Sequence, residues 1–173
     1  MATSEATERT GERFQVSATW FGPSLVVLRL LLGWHFLYAG LTKLLNPGWS
    51  ASGFLLHGIP PGNPIPGFWP YLANNWLGVI DPLNAWGLTL VGVGLIVGGA
   101  VRWNAFWGSV MMAFYWAASL PLAHSILIDD HVIYIVTLFA LGAFGAGRYY
   151  GIDEYVEQWG IVQRHSWLQY LLG

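Results

Sequence analysis

The sequence predicts an all-α membrane protein: a four-transmembrane-helix bundle with a long outer loop that contains short interfacial helices, followed by a C-terminal amphipathic helix. Three observations carry this expectation. Hydrophobic residues make up 55% of the 173 positions and charged residues only 9%, against roughly a quarter charged in soluble domains. Four apolar runs alternate with connections rich in Pro, Gly or Asp, the pattern that hydropathy reads as spans. The basic residues also fall on alternate connections. There is no basic run of the kind that binds nucleic acid. The absence of cysteine excludes disulfides, thiolate nucleophiles and iron–sulfur ligation by this chain.

Residues 1–23 read as a polar cytoplasmic tail without the apolar core of a secretory signal. Gly22–Pro23 marks a break before the first span, which is expected over about 24–45. At 1.5 Å per residue that run reaches about 33 Å, enough for a hydrocarbon core. Asn46–Pro47–Gly48 ends it. Within the connection over 46–82, residues 48–82 hold six prolines, three tryptophans and no Lys or Arg, and a connection of this length is often functional. Its apolar pieces, Phe54–Leu56 and Trp69–Leu77, read as interfacial helices.

The second span is expected over about 83–101, where Gly94 and Gly98, four apart, permit close helix contact. Arg102–Trp103–Asn104 then forms a tight turn into a third span over about 104–123, and a fourth runs over about 132–147. Residues 148–173 read as a cytoplasmic amphipathic helix resting on the membrane. Arg9, Arg13, Arg102, Arg148 and Arg164 all fall on one side of this arrangement. The positive-inside bias therefore puts both termini in the cytoplasm of a multi-pass protein of the cell membrane.

The first span carries Arg29, His35 and Lys43, and ionisable groups in hydrocarbon are costly unless they face protein or water. Arg29, Gly33, Phe36, Gly40 and Lys43 share one helical stripe. Lys43 can snorkel to the outer interface. Arg29 lies deeper and calls for an internal acceptor, with Asp153 or Glu154 as candidates and Arg148 beside them; Arg29, Arg148 and Asp153 form the expected structural clamp. His35, near mid-membrane, is either a neutral histidine bonded to a neighbour or a quinone contact or proton relay. A second mid-membrane histidine for haem is missing, so neither haem nor an iron–sulfur cluster is expected. On the outer side His57, His124, Asp130 and His131 could dock a partner or substrate. Their spacing matches no metal motif, and Asp129 or Asp130 equally suits the N-cap of the fourth helix.

LRLLLGWHFLYAGLTKLLNP resembles the opening of the DoxX/DoxD-like membrane family, through Leu28, Arg29, Gly33, Phe36, Gly40 and Lys43. VGVGLIVGGAVRWNAFWG is similar to that family's passage into its third helix, and GAGRYYGIDEYV to its C-terminal motif, with Gly145, Gly147, Arg148, Tyr149 and Asp153. Many relatives carry a glutamate early in helix two, where this chain has Asn84–Ala85–Trp86. The resemblance implies a four-helix membrane subunit of an oxidoreductase; the proline-rich loop is similar to the DoxD branch, which passes electrons from thiosulfate to quinone. Quinone is then the expected cofactor. His35, Arg29 and Lys43 are the candidate reactive residues, and Trp34 and Tyr38 join His35 in binding the cofactor. A second oxidoreductase subunit, or another copy of the chain, is the expected partner. A non-catalytic assembly subunit of a respiratory complex is the alternative.

Overall fold

In a computed structural model, the backbone of residues 2–123 and 125–173 is described, with side chains from Thr19 onward except at position 124. No strand occurs among the described residues. The chain forms α1 (Ala2–Leu44), a π-helical turn (Phe54–Gly58), α2 (Phe68–Asn75), α3 (Leu77–Val97), α4 (Val101–Ser119) and α5 (Asp130–Ala143). The 3-10 turns Ala146–Arg148 and Ser166–Tyr170 and the short helices α6 (Asp153–Val156) and α7 (Gly160–Arg164) complete it. Two segments are long and apolar enough to cross a membrane: Thr19–Leu44 of α1, and α3. Large apolar side chains stand on the outside of the bundle, among them Leu31, Leu83, Phe106 and Phe139. That is how a lipid-facing surface differs from a soluble one.

α1 packs along α3 and α4 along α5, with α3 and α4 joining the pairs. Small residues make the α1–α3 contact. A Cβ at Gly40 would lie 2.5 Å from the Thr89 backbone nitrogen, and one at Gly92 would strike the Leu37 backbone. Close backbone approach through glycine is the usual source of helix association in lipid, where burial of apolar surface drives little. Gly92 thus plays the part expected of the Gly94–Gly98 pair, while Gly94 faces Asn104. Phe36, Leu95, Leu138 and Leu141 fill the core and are fully buried.

Several expected boundaries move. α1 runs through Gly22–Pro23 without a break and its backbone is helical from Ala2, so the polar tail continues the first helix. α3 starts at Leu77 with Pro82 inside it, six residues before the expected span. It ends at Val97, because Gly98 adopts a left-handed cap (φ 68°). The tight turn is therefore Gly98–Ala100, and Arg102 already lies in α4. The reason is a remote cap: the Asp153 carboxylate accepts from Ala100 N–H at 2.6 Å and Val101 N–H at 3.0 Å. These amides at the start of α4 lack an intrahelical partner. α5 is capped by Asp129, whose Oδ1 accepts from Val132 N–H at 3.2 Å. The C-terminal segment is not one amphipathic helix. It breaks at Trp159–Gly160 and His165 and folds back, so that Gly173 N–H donates to Asp153 Oδ2 at 2.9 Å.

Two polar clamps hold the outer loop onto the bundle. Asn63 Nδ2 donates to the carbonyls of Ala117 and Leu120, both at 2.9 Å, while its Oδ1 accepts from Trp69 Nε1 at 2.9 Å. Asp81 Oδ1 accepts from Ala51 N–H at 2.9 Å. Leu55, Trp69, Ala73 and Ala118 form a second apolar cluster beneath the loop.

Candidate functional site

The C-terminal end of α1 and the N-terminal end of α5 meet the starts and ends of α3 and α4 around a cavity of about 360 Å3, within the range of small-molecule sites. His35, Lys43, Asn84, Tyr115, His131 and Tyr134 line it. Lys43 does not reach away from the bundle. Its Nζ turns back to donate to the Ala39 carbonyl at 3.0 Å and lies 5.4 Å from the centre of the Trp49 ring. No carboxylate pairs with it among the described residues.

His35 stands 4.9 Å, ring centre to ring centre, from Tyr134 across the α1–α5 seam. No hydrogen bond holds its ring among the described residues; its contacts are the Phe36 and Tyr134 rings. His131 is held instead. Its Nδ1 lies 2.7 Å from Asp129 Oδ2, and because a carboxylate only accepts, Nδ1 carries the proton and Nε2 is left for the cavity. Burial raises the Asp129 carboxyl, but the hydrogen bonds from His131 and from Val132 N–H outweigh it and hold the group below the ordinary aspartate range. Asn84 Oδ1 and Tyr115 Oη are both buried, and the Asn84 side chain is the hydrogen-bonding neighbour of the Tyr115 hydroxyl. No other polar group of the described residues bonds either atom, so the pair faces the cavity without being tied into the backbone.

The structure brings together some of the expected residues and separates others. His35, Lys43, Asp130 and His131 share the cavity. Arg29 does not join them. It is 1% exposed at the other end of the bundle, where Nη1 donates to the carbonyls of Ala146 at 2.6 Å and Tyr149 at 3.2 Å, and Nη2 to Tyr150 at 3.2 Å. Its clamp is to the backbone of the 146–150 turn rather than to a carboxylate. Asp153 is fully buried beside it and holds the start of α4. Arg148 pairs with Glu157, Nη2 to Oε1 at 2.7 Å, and this partner raises the Arg148 guanidinium. Trp34 and Tyr38 point outward, 61% and 60% exposed, and do not line the cavity. His57 is exposed in the π-helical turn, away from the cavity. His124 lies outside the described residues.

Asn84, Tyr115 and Tyr134 were not singled out by spacing. Asn84 had one available signal, since it sits in the stretch Asn84–Ala85–Trp86 where the family resemblance leads to the expectation of a glutamate. The two tyrosines look like packing until the fold places them.

A cleft holding a few polar side chains between apolar helices, whose outer faces carry exposed leucine and phenylalanine, is what a helical membrane protein presents. The DoxX family pattern matches residues 24–120, more than half of the 173 residues, and the chain belongs to the DoxX family. No curated protein and no solved structure matches it.

Proposed function

We propose that this chain is the membrane subunit of a quinone-linked oxidoreductase. On this reading it crosses the membrane four times, with both termini cytoplasmic, and takes a quinone headgroup into the cavity between His35 and His131. The supporting observation is the meeting of His35, Asn84, Tyr115 and His131, from four different helices, around that one cavity. A quinone ring presents two carbonyl acceptors, and reduction turns them into hydroxyls. The Tyr115 hydroxyl can donate to the first form, and Asn84 Oδ1 can accept from the second.

Reduction to the quinol takes two electrons and two protons. His131, fixed by Asp129, donates one proton from Nε2 when cationic, and His35 on the opposite wall donates the other. The chain has no cysteine to relay electrons, so a second subunit delivers them; the DoxD resemblance suggests thiosulfate, oxidised on that subunit, as their source. That subunit docks on the outer side, where exposed His57 and Asp130 lie. The four-span arrangement is supported by α4, whose 19 residues reach about 28 Å. The exposed apolar face of α5, with Ile133, Val136 and Phe139, supports it too.

The test is extraction of the purified protein for quinone, with quinone reduction assayed in wild type and His35→Ala together with the electron-donating subunit. Bound quinone and a rate lowered by about 10²-fold or more, at unchanged melting temperature, is the expected result. Bound quinone with full activity in His35→Ala removes His35 from the proton path. Neither quinone nor activity leaves the chain as an assembly or stabilising subunit of a respiratory complex.

A further inference from the structure

The headgroup cavity has a neighbour. A second cavity, of about 300 Å3, lies between the clamped outer loop and the flank of α3 and α4. The two share Ala51, Phe54, Asn84 and Tyr115 as a common wall. We infer that together they form one bipartite site for an amphiphile: a compact hydrogen-bonding head sits between His35 and His131, and a single apolar chain passes Asn84 and Tyr115 to lie under the outer loop. This assignment rests on the quinone-headgroup reading above and adds the subsite that distinguishes a chain-bearing quinone from a bare ring.

The chemistry of the second cavity differs sharply from the first. Leu55, Leu72, Leu83, Met111 and Phe114 contribute to a wall with almost no polar groups. Apart from the shared Asn84 and Tyr115, its one polar side-chain group is the Trp69 indole N–H, and Asn63 Oδ1 already accepts from that. Away from Asn84 and Tyr115 such a cavity offers water little to bond and suits an apolar occupant. Its roof is fixed, because Asn63 ties the loop to the end of α4 and Asp81 ties Ala51 to the start of α3. The chamber is therefore set by polar anchors outside it, and does not depend on an occupant to keep the loop in place.

Charge selects the kind of head. Lys43 is the fixed cation on the first cavity, and the carboxylates of Asp130 and Asp129 stand beside His131 on the facing side. That set is no cradle for a phosphodiester, which a phospholipid would bring with its acyl chain. A neutral ring with two oxygen acceptors meets one hydroxyl donor, one ammonium and two histidines, with the Asp129 and Asp130 carboxylates offsetting the positive charge.

The test compares two quinones with the same ring, one carrying a ten-carbon chain and the other a methyl group in its place. Dissociation constants are measured in one detergent for wild type, Leu72→Trp and Leu83→Trp. Leu72 is half-buried and Leu83 is 65% exposed, so both larger side chains can enter the second cavity without entering the core. The expected result is that each variant weakens the chain-bearing quinone by about tenfold or more, a difference of about 1.4 kcal/mol, while the methyl compound binds as in wild type. A photoreactive group at the chain's end should then label peptides containing Leu72 or Phe114. Equal affinities in all three proteins, or labelling confined to the lipid-facing side chains Leu31 and Phe139, overturns the chain subsite and leaves the headgroup reading standing. Failure of wild type to bind either quinone overturns the headgroup reading itself, and the inference falls with it.

Discussion

At the Arg29 end of the bundle, three backbone carbonyls receive the guanidinium and three backbone amides donate to the Asp153 carboxylate. At the His35 end, Asn84 and Tyr115 have one another as polar neighbours, and His35 has ring contacts alone among the described residues. The two ends lie on the same helices in the same apolar setting, so the contrast is not one of composition. A buried charge whose two terminal amino groups go to backbone acts as a tie between segments even with its Nε unpartnered: α1, the 146–150 turn, the start of α4 and Gly173 meet there. A cavity onto which His35, the Nε2 of His131 and the Asn84–Tyr115 pair open has capacity left for a ligand. The first is where the fold is held, and the second is where chemistry can occur.

The largest effect should come from breaking the tied end. Arg29→Met leaves the Ala146, Tyr149 and Tyr150 carbonyls without their donor and takes away the buried guanidinium beside Asp153. The expected cost is about 3–5 kcal/mol, the scale for stranding a buried charge, read as a large fall in melting temperature in detergent. A loss as small as that of a surface substitution would show that the turn is held by something else.

Asp129→Ala removes the α5 cap and should cost about 1 kcal/mol at neutral pH. Because the folded carboxyl sits below its ordinary value, its contribution is complete above the unfolded aspartate pKa of about 4 and disappears as pH falls through the lower folded value. The gap in melting temperature between wild type and variant should therefore close at acid pH. A gap that persists there would show that the ionised carboxylate is not the cap.

Tyr115→Phe sharpens the contrast from the other side. Removing a buried hydroxyl whose polar neighbour is the Asn84 side chain should change stability by no more than about 1 kcal/mol, while weakening retention of quinone. A much larger fall in melting temperature would mean that the hydroxyl holds the helices together rather than facing a ligand. The smallest effect belongs to Glu157→Gln. Its bridge to Arg148 is bidentate but at the surface, where such pairs contribute about 0.2–1 kcal/mol, and the loss should shrink further in high salt.

Much of this was legible one residue at a time. The apolar runs, the helix-ending asparagine and proline at 46–47, the Asp129 cap and the interfacial pieces of the outer loop follow from local chemistry. So does the unusual status of Arg29, because a deep arginine demands acceptors. Which acceptors it takes was not legible. Backbone carbonyls are present at every residue, and the preference for 146–150 over a carboxylate depends on how a turn 117 residues away is folded. Trp34 and Tyr38 show the same limit, since periodicity places them near His35 without saying whether lipid or protein faces them.

The sequence by itself determined the helical class, the membrane solvent, the absence of thiol chemistry and the singular load of ionisable groups on the first helix, because these depend on composition and short-range spacing. Only the tertiary structure decided that Arg29 and His35 serve opposite ends, that Asp153 caps a helix 52 residues earlier in the chain, and that Asn84, Tyr115 and His131 share a cavity. Each of these is a meeting of side chain with distant backbone or distant side chain. Packing geometry fixes such meetings, and no local pattern encodes them.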